Sequence, residues 1–180
     1  MHSPRLLTAL EWNNVRSKFF FQSVVDSGAD YCVFPASFGE RVGIDVQSGK
    51  PTPMSGFGGR GQCFYHEIKV LAMIDKQIWR FKCFAGFSEQ MNELGIGLLG
   101  RHGFFELFEE VIFDQRKKLF RLKLPAIGPK TSSNSPWAPW QAFQSYRDWG
   151  RIFTFKALDV MDSNIGVFGK LFLDPTLLTS

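Results

Sequence analysis

Cysteine is scarce in this 180-residue sequence, which contains only Cys32, Cys63 and Cys83. Three cysteines are too few for a disulfide scaffold, so we expect reduced thiols in a cytoplasmic protein. Long apolar runs are also missing, since stretches such as Phe19-Phe20-Phe21 are far shorter than a membrane span. The N-terminal region has no sustained apolar core before a small-residue cleavage site, so no secretory signal is expected.

Neither sign of charge dominates the sequence. The net charge is +4, from 21 basic and 17 acidic residues, and the basic residues are scattered. The one short basic run, Arg116-Lys117-Lys118, lies where a hairpin turn is expected, and such a run is usually solvated. We therefore expect neither nucleic acid nor a membrane as a partner.

Familiar catalytic and metal-binding patterns are equally scarce. The sequence has no G-x-S-x-G motif for a serine nucleophile. Cys63 and His66 are spaced like two metal ligands, with Cys32 and Cys83 as further candidates, but residues three apart face opposite sides of a strand. His102 is explained as a polar residue at a helix start rather than as a general base. We expect no metal and no cofactor.

Short alternating segments of apolar and polar residues predict an all-β domain over residues 5–124, with two small helices. Asn13-Asn14 and Asp75-Lys76 favour tight turns between neighbouring strands. Pro35 is suited to open the first helix, over residues 36–42, and the second helix is expected over residues 103–108. The predicted strands are residues 6–12, 15–25, 29–34, 50–55, 62–71, 77–86, 94–99, 109–113 and 118–122.

The composition changes at Pro125. Residues 125–139 are rich in Pro, Ser, Gly and Thr, which predicts a linker. Residues 140–180 form a C-terminal extension with several aromatics but no clear period. A packing appendage, a partner-binding tail and a segment that never folds all fit this extension.

Two short motifs far apart in the chain are the most informative feature. Asp26-Ser27-Gly28 follows the β-branched pair Val24-Val25 and continues as Ala29-Asp30, while Gly97-Leu98-Leu99-Gly100-Arg101 comes much later. Asp, Ser and Gly are common in ordinary β-turns, so the first motif alone is about as well explained by a turn as by a catalytic site. The two motifs together, in this order, are much more specific.

The paired motifs resemble the retropepsin-like aspartic proteases, most closely the bacterial stand-alone group. The resemblance covers about residues 6–124 and implies a closed β-barrel, a homodimer and endopeptidase activity on an extended peptide. It implies that Asp26 is catalytic, that the Ser27 hydroxyl bonds across the two-fold axis, and that Asp30 pairs with Arg101. Leu98-Leu99-Gly100 would pack beneath the active-site loop formed by Asp26, Ser27, Gly28, Ala29 and Asp30.

A glycine-dense segment, Gly56-Phe57-Gly58-Gly59-Arg60-Gly61, satisfies the G-x-G-x-x-G pattern of a nucleotide-binding loop. That loop requires a following helix, whereas residues 62–71 alternate like a strand, so nucleotide binding is not expected. The resemblance implies that this segment is the flap, a mobile hairpin tip that closes over bound peptide. A flexible hairpin with no role is the alternative.

Aspartic proteolysis requires two neighbouring carboxyl groups that share one proton. This sequence has one Asp-Ser-Gly and no internal repeat, so the second carboxyl must come from a second copy of the chain. The expected function is therefore a homodimeric aspartic endopeptidase. The alternatives are a non-catalytic peptide-binding or dimerisation module, and a monomeric remnant whose C-terminal extension disrupts assembly.

Overall fold

The computed structural model describes residues 4–56, 59–75, 77–125 and 152–156. These residues are mostly in strands, with one short helix, α1 (Ala36–Glu40), and three 3₁₀ turns at Val46–Ser48, Glu89–Met91 and Phe105–Leu107. The strands are β1 (Arg5–Trp12), β2 (Val15–Arg16), β3 (Phe21–Val25), β4 (Val33–Pro35), β5 (Lys50–Gly56), β6 (Gly59–Ile74), β7 (Gln77–Ser88), β8 (Gly97–Leu99), β9 (Glu110–Asp114), β10 (Leu119–Lys123) and β11 (Ile152–Lys156).

Eight of these strands form one sheet in the order β2-β1-β3-β8-β4-β7-β6-β5. An additional pairing of β1 with β6 closes six of them into a barrel. The β3–β8 and β4–β7 pairs are parallel, and the remaining pairs are antiparallel. The predicted all-β closed barrel is confirmed.

The core combines aliphatic side chains with several phenylalanines. On β7, Trp79, Phe81 and Cys83 are buried while Arg80 and Lys82 are exposed, as the two-residue period of a strand requires. Each large apolar side chain moved from water into this core contributes about 1.5–3 kcal/mol. The fully buried phenylalanines are Phe34, Phe81, Phe87, Phe104 and Phe120.

The predicted helices are both shorter than expected. α1 follows Pro35 but ends at Glu40, and the chain then reverses through Gly43, which has a φ of 86°. The second prediction, residues 103–108, is only a single 3₁₀ turn, Phe105–Leu107. Gly103 has a φ of 100°, a left-handed conformation that cannot belong to a right-handed helix.

A second sheet has the strand order β11-β10-β9. Phe120 and Leu122 of β10, followed by Leu124, are buried and belong to the same apolar cluster as the barrel core. β11 lies in the C-terminal extension and pairs antiparallel with β10 over five residues. The rest of the extension, and the predicted linker beyond Pro125, lie outside the described residues.

No helix within the described ranges has the length and apolarity needed to cross a membrane.

Candidate active site

Asp26 lies immediately after β3, at the start of a tight turn. Its backbone N–H donates to the carbonyl of Leu99 over 3.0 Å, and its own carbonyl accepts from the N–H of Ala29 over 3.2 Å. The N–H of Gly28 donates to Oδ1 of the Asp26 carboxyl over 2.8 Å, which orients that group. The Asp26 side chain is half-buried, while Ser27 and Gly28 are exposed at the tip. The turn therefore holds one oriented carboxyl group at the protein surface.

The second sequence motif lies directly against this turn. β8 pairs in parallel with β3, which places Leu98 opposite Val24 and Leu99 opposite Val25. On its other side, Leu98 pairs with Val33 of β4. β8 thus lies between the strand that enters the loop and the strand that leaves it.

Gly100 allows the loop to approach β8 closely. A Cβ at this position would overlap the Tyr31 carbonyl group and lie 2.9 Å from the carbonyl oxygen of Ala29. Two hydrogen bonds continue the contact, from Arg101 N–H to Ala29 O (2.9 Å) and from His102 N–H to Asp30 O (2.7 Å). The loop backbone from Ala29 to Tyr31 is therefore held against the segment that follows β8.

The Arg101 guanidinium contacts Oδ1 of Asp30, so the structure contains the predicted ion pair. Both side chains are more exposed than buried, 59% for Arg101 and 63% for Asp30. In a single chain such an exposed pair contributes about 0–1 kcal/mol to stability. The main role of this ion pair is therefore to orient the Asp30 side chain at the end of the loop.

A row of aromatic rings extends from the loop across the outer face of the barrel. Tyr31 packs against His102 (centroids 4.9 Å apart) and against Tyr65 (5.3 Å), which stacks on Phe84 (5.2 Å). Burial, followed by the charges of Cys63, Tyr31 and Asp30, raises the pKa of Tyr65 to about 12, so its hydroxyl keeps its proton at neutral pH. This row was not predicted from the sequence, although Tyr31 directly follows Asp30 and was therefore a detectable candidate for a residue near the loop.

The predicted flap belongs to the hairpin of β5 and β6, whose register runs from Lys50 opposite Tyr65 to Gly56 opposite Gly59. Met54 of this hairpin packs in a small cluster with Val33 and Leu98, beside the loop. Phe57 and Gly58 lie outside the described residues, and the side chain of Arg60 is not described. β6 continues from Gly59 to Ile74 as a strand, so the helix that a nucleotide-binding loop requires is absent here.

The three cysteines are buried free thiols. Burial raises the pKa of Cys63 to about 11, and its sulfur lies 3.7 Å from that of Met54. A hydrogen bond with Cys32, together with burial, raises the pKa of Cys83 well above its usual value. Cys63 and Cys83 are therefore packed thiols that keep their protons at neutral pH and are unsuited to act as nucleophiles.

The two histidines of the described residues, His66 and His102, have hydrogen-bond partners. Nε2 of His66 lies 2.9 Å from the carbonyl oxygen of Val46, and Nδ1 of His102 lies 2.7 Å from Oε1 of Glu106. Within the described residues, no group of three His, Cys, Asp or Glu side chains is arranged to hold a metal ion.

No protein-family model matches the sequence, and no curated protein matches it. Among solved structures, the chain is similar to one described as "EIAV protease complexed with the inhibitor HBY-793". The two are 17% identical with a TM-score of 0.35, and the match covers 55% of this chain and 82% of that chain.

Proposed function

We propose that the protein is an aspartic endopeptidase in which two Asp26 carboxyl groups, one from each subunit of a homodimer, activate a water molecule. The observation that carries the proposal is the placement of Asp26 on a surface turn, oriented by Gly28 and braced by Leu99 and Gly100. An ordinary β-turn needs no such support from a strand about 70 residues away. Retropepsin-like proteases are the family that the motifs resemble.

The chemistry explains why two copies are needed. Two carboxyl groups in close contact share one proton because both cannot be ionised together. The ionised group then removes a proton from water, which attacks the peptide carbonyl, and the protonated group stabilises the developing oxyanion and assists the leaving amine. Within one chain, the Asp-Ser-Gly sequence occurs once.

The loop is suited to meet a second copy of itself. Ser27, Gly28 and Asp30 are all exposed, and Gly28 has no side chain to keep another loop away. An isologous dimer places identical surfaces face to face, so Asp26 would lie opposite Asp26.

We propose an extended peptide as substrate. β5 is the last strand in the order of the eight-stranded sheet, so one of its edges has no partner strand in this sheet. An extended peptide binds such surfaces by strand addition, with its side chains alternating between pockets. Met54 and Leu98, which are partly buried and pack against the buried Val33, supply an apolar contact surface for such a peptide.

The test compares Asp26→Asn with a control, Asp45→Asn, which changes an exposed aspartate outside the loop. Cleavage of a random peptide library is followed by mass spectrometry from mildly acidic to neutral pH, with and without pepstatin. Because Asn cannot exchange the shared proton, we expect Asp26→Asn to lose at least about 10²-fold in rate while Asp45→Asn keeps full, pepstatin-sensitive activity.

Circular dichroism and sedimentation establish that both variants fold and assemble like the original chain. Full activity in Asp26→Asn would overturn the proposal. An original chain that dimerises and binds peptides but cleaves none would instead identify a non-catalytic peptide-binding module.

A further inference from the structure

A second cluster of charged side chains lies at the other end of β1. The Glu11 side chain is only 7% exposed, and three cations surround its carboxylate. Lys69 Nζ lies 3.1 Å from Oε1, while Arg80 and Arg16 approach Oε2 at 3.2 Å and 3.7 Å. Within the described part of the chain, Glu11 is the carboxylate that these three cations share.

Strand register explains why the four side chains meet. Glu11 pairs with Arg16 on β2 and with Lys69 on β6, and Arg80 of β7 lies opposite Leu71, two residues beyond Lys69. Residues two apart on a strand share a face, so all four project from the outer surface of the barrel. Three positive charges and one negative charge leave the cluster with a surplus of two positive charges.

The cluster borders a shallow, open surface cavity of about 470 Å³, which is lined by Glu11, Asn14, Arg16 and Arg80. Asn14 reaches it from the turn between β1 and β2, where its φ is 64°. Small-molecule sites in proteins typically have volumes of about 300–1,000 Å³. The cavity is thus larger than a single inorganic anion needs.

We propose that this cavity binds the phosphoryl group of a small molecule. A guanidinium group carries five N–H donors. Arg16 and Arg80 approach the same oxygen of Glu11, Oε2, which cannot accept hydrogen bonds from all of their donors. Phosphate oxygens match the planar donor fork of arginine, and the Asn14 amide adds a neutral donor. The ligand would bring the negative charge that the cluster lacks.

This site is separate from the candidate active site. Arg5, at the other end of β1, pairs with Val24 near Asp26, and Glu11 lies six residues after Arg5 along this extended strand. At about 3.3 Å per residue, this separation is about 20 Å. The proposal therefore does not depend on the protease function.

The test measures binding of inorganic phosphate, pyrophosphate and glycerol phosphate to the full chain by calorimetry. We expect Arg80→Gln to weaken binding about tenfold, because it removes donors that line the cavity. The matched control is Lys82→Gln, which removes the same charge two residues along β7 from a side chain that pairs with Glu67. We expect this control to change affinity less than about twofold.

A second variant tests the charge argument in the opposite direction. Glu11→Gln removes the negative charge at the cavity, so we expect phosphate to bind about tenfold more tightly and to raise Tm more than in the original chain. Should Glu11→Gln fail to fold, the Arg80 and Lys82 comparison decides alone. Tighter binding of glycerol phosphate than of phosphate identifies an organic phosphate ligand, and the reverse order identifies free phosphate.

No binding of any of the three probes at millimolar concentration would overturn the proposal. Equal weakening by Arg80→Gln and Lys82→Gln would do the same, because it would indicate general charge attraction without a site.

Discussion

Gly100 belongs to the second motif of the candidate active site, and its lack of a Cβ allows it to pack against the backbone of the loop that contains the first motif. Because a Cβ there would overlap the backbone of the loop, we expect Gly100→Ala to lower the free energy of unfolding by about 1–3 kcal/mol. The loop must move to relieve the overlap, so we also expect peptide cleavage per folded molecule to fall at least about tenfold. Urea unfolding and the cleavage assay measure the two effects.

Gly95→Ala is the control for this substitution. Gly95 has a φ of 61°, and a Cβ added there would meet nothing within 4 Å, so its replacement costs about 1–2 kcal/mol through the backbone alone. Cleavage per folded molecule should not change in this variant. If the two alanine variants had equal activity, the close packing of Gly100 against the loop would not matter for the site.

At the residue scale, local motifs predicted part of the site. The pairing of Asp30 with Arg101 followed from the family resemblance, while the catalytic role of Asp26 stays a prediction. The contact between Tyr31 and Tyr65 was not predictable in the same way, because it joins the loop before β4 to β6, and the closed barrel sets which segments meet there. The cluster around Glu11 was missed for the same reason, since it assembles side chains from four strands.

Among the elements, the turn between β1 and β2 permits a sharp prediction. Asn13 and Asn14 both have positive φ, 48° and 64°, which matches the type I′ turns of two-residue hairpins. Asn13→Gly should leave stability unchanged or raise it by a few tenths of a kcal/mol, because glycine adopts this conformation without strain. Asn13→Ala should lower the free energy of unfolding by about 1 kcal/mol.

The glycine and alanine variants control for one another, because both remove the same amide group. Their difference in urea unfolding therefore reports the backbone conformation of Asn13 alone. An alanine variant more stable than the glycine variant would contradict the left-handed turn.

Element prediction worked best where strands are long and alternate regularly. The β6–β7 hairpin was predicted from periodicity and from the Asp75-Lys76 turn, and Asp75 has a positive φ of 51°. Helix length was predicted less well. Gly43 and Gly103 adopt left-handed backbone conformations, and the composition does not indicate which glycines do so. β11 was not predicted, since the extension has no regular period and its strand is defined by pairing with β10.

For the whole molecule, the closure of the barrel depends on pairings between distant segments. β8 lies between β3 and β4 although about 60 residues separate it from β4 in the sequence. Hydrophobic alternation indicates which residues face the core, but it does not indicate which strand lies next to which. The family resemblance implied both the closed barrel and the packing of Leu98-Leu99-Gly100 against the loop.

The proposed dimer makes a quantitative prediction about mixtures. The original chain is mixed with an equal amount of Asp26→Asn, and the subunits are allowed to exchange. About half of the original subunits should then be in mixed dimers, which lack the shared proton. Activity should therefore fall to about half after incubation, and to about one tenth with a ninefold excess of the variant. The same mixtures assayed before exchange provide the control. Activity that stays proportional to the original chain at every ratio, and that does not decline on dilution, would mean that one chain carries out catalysis alone and that Asp26 does not act across a two-fold axis.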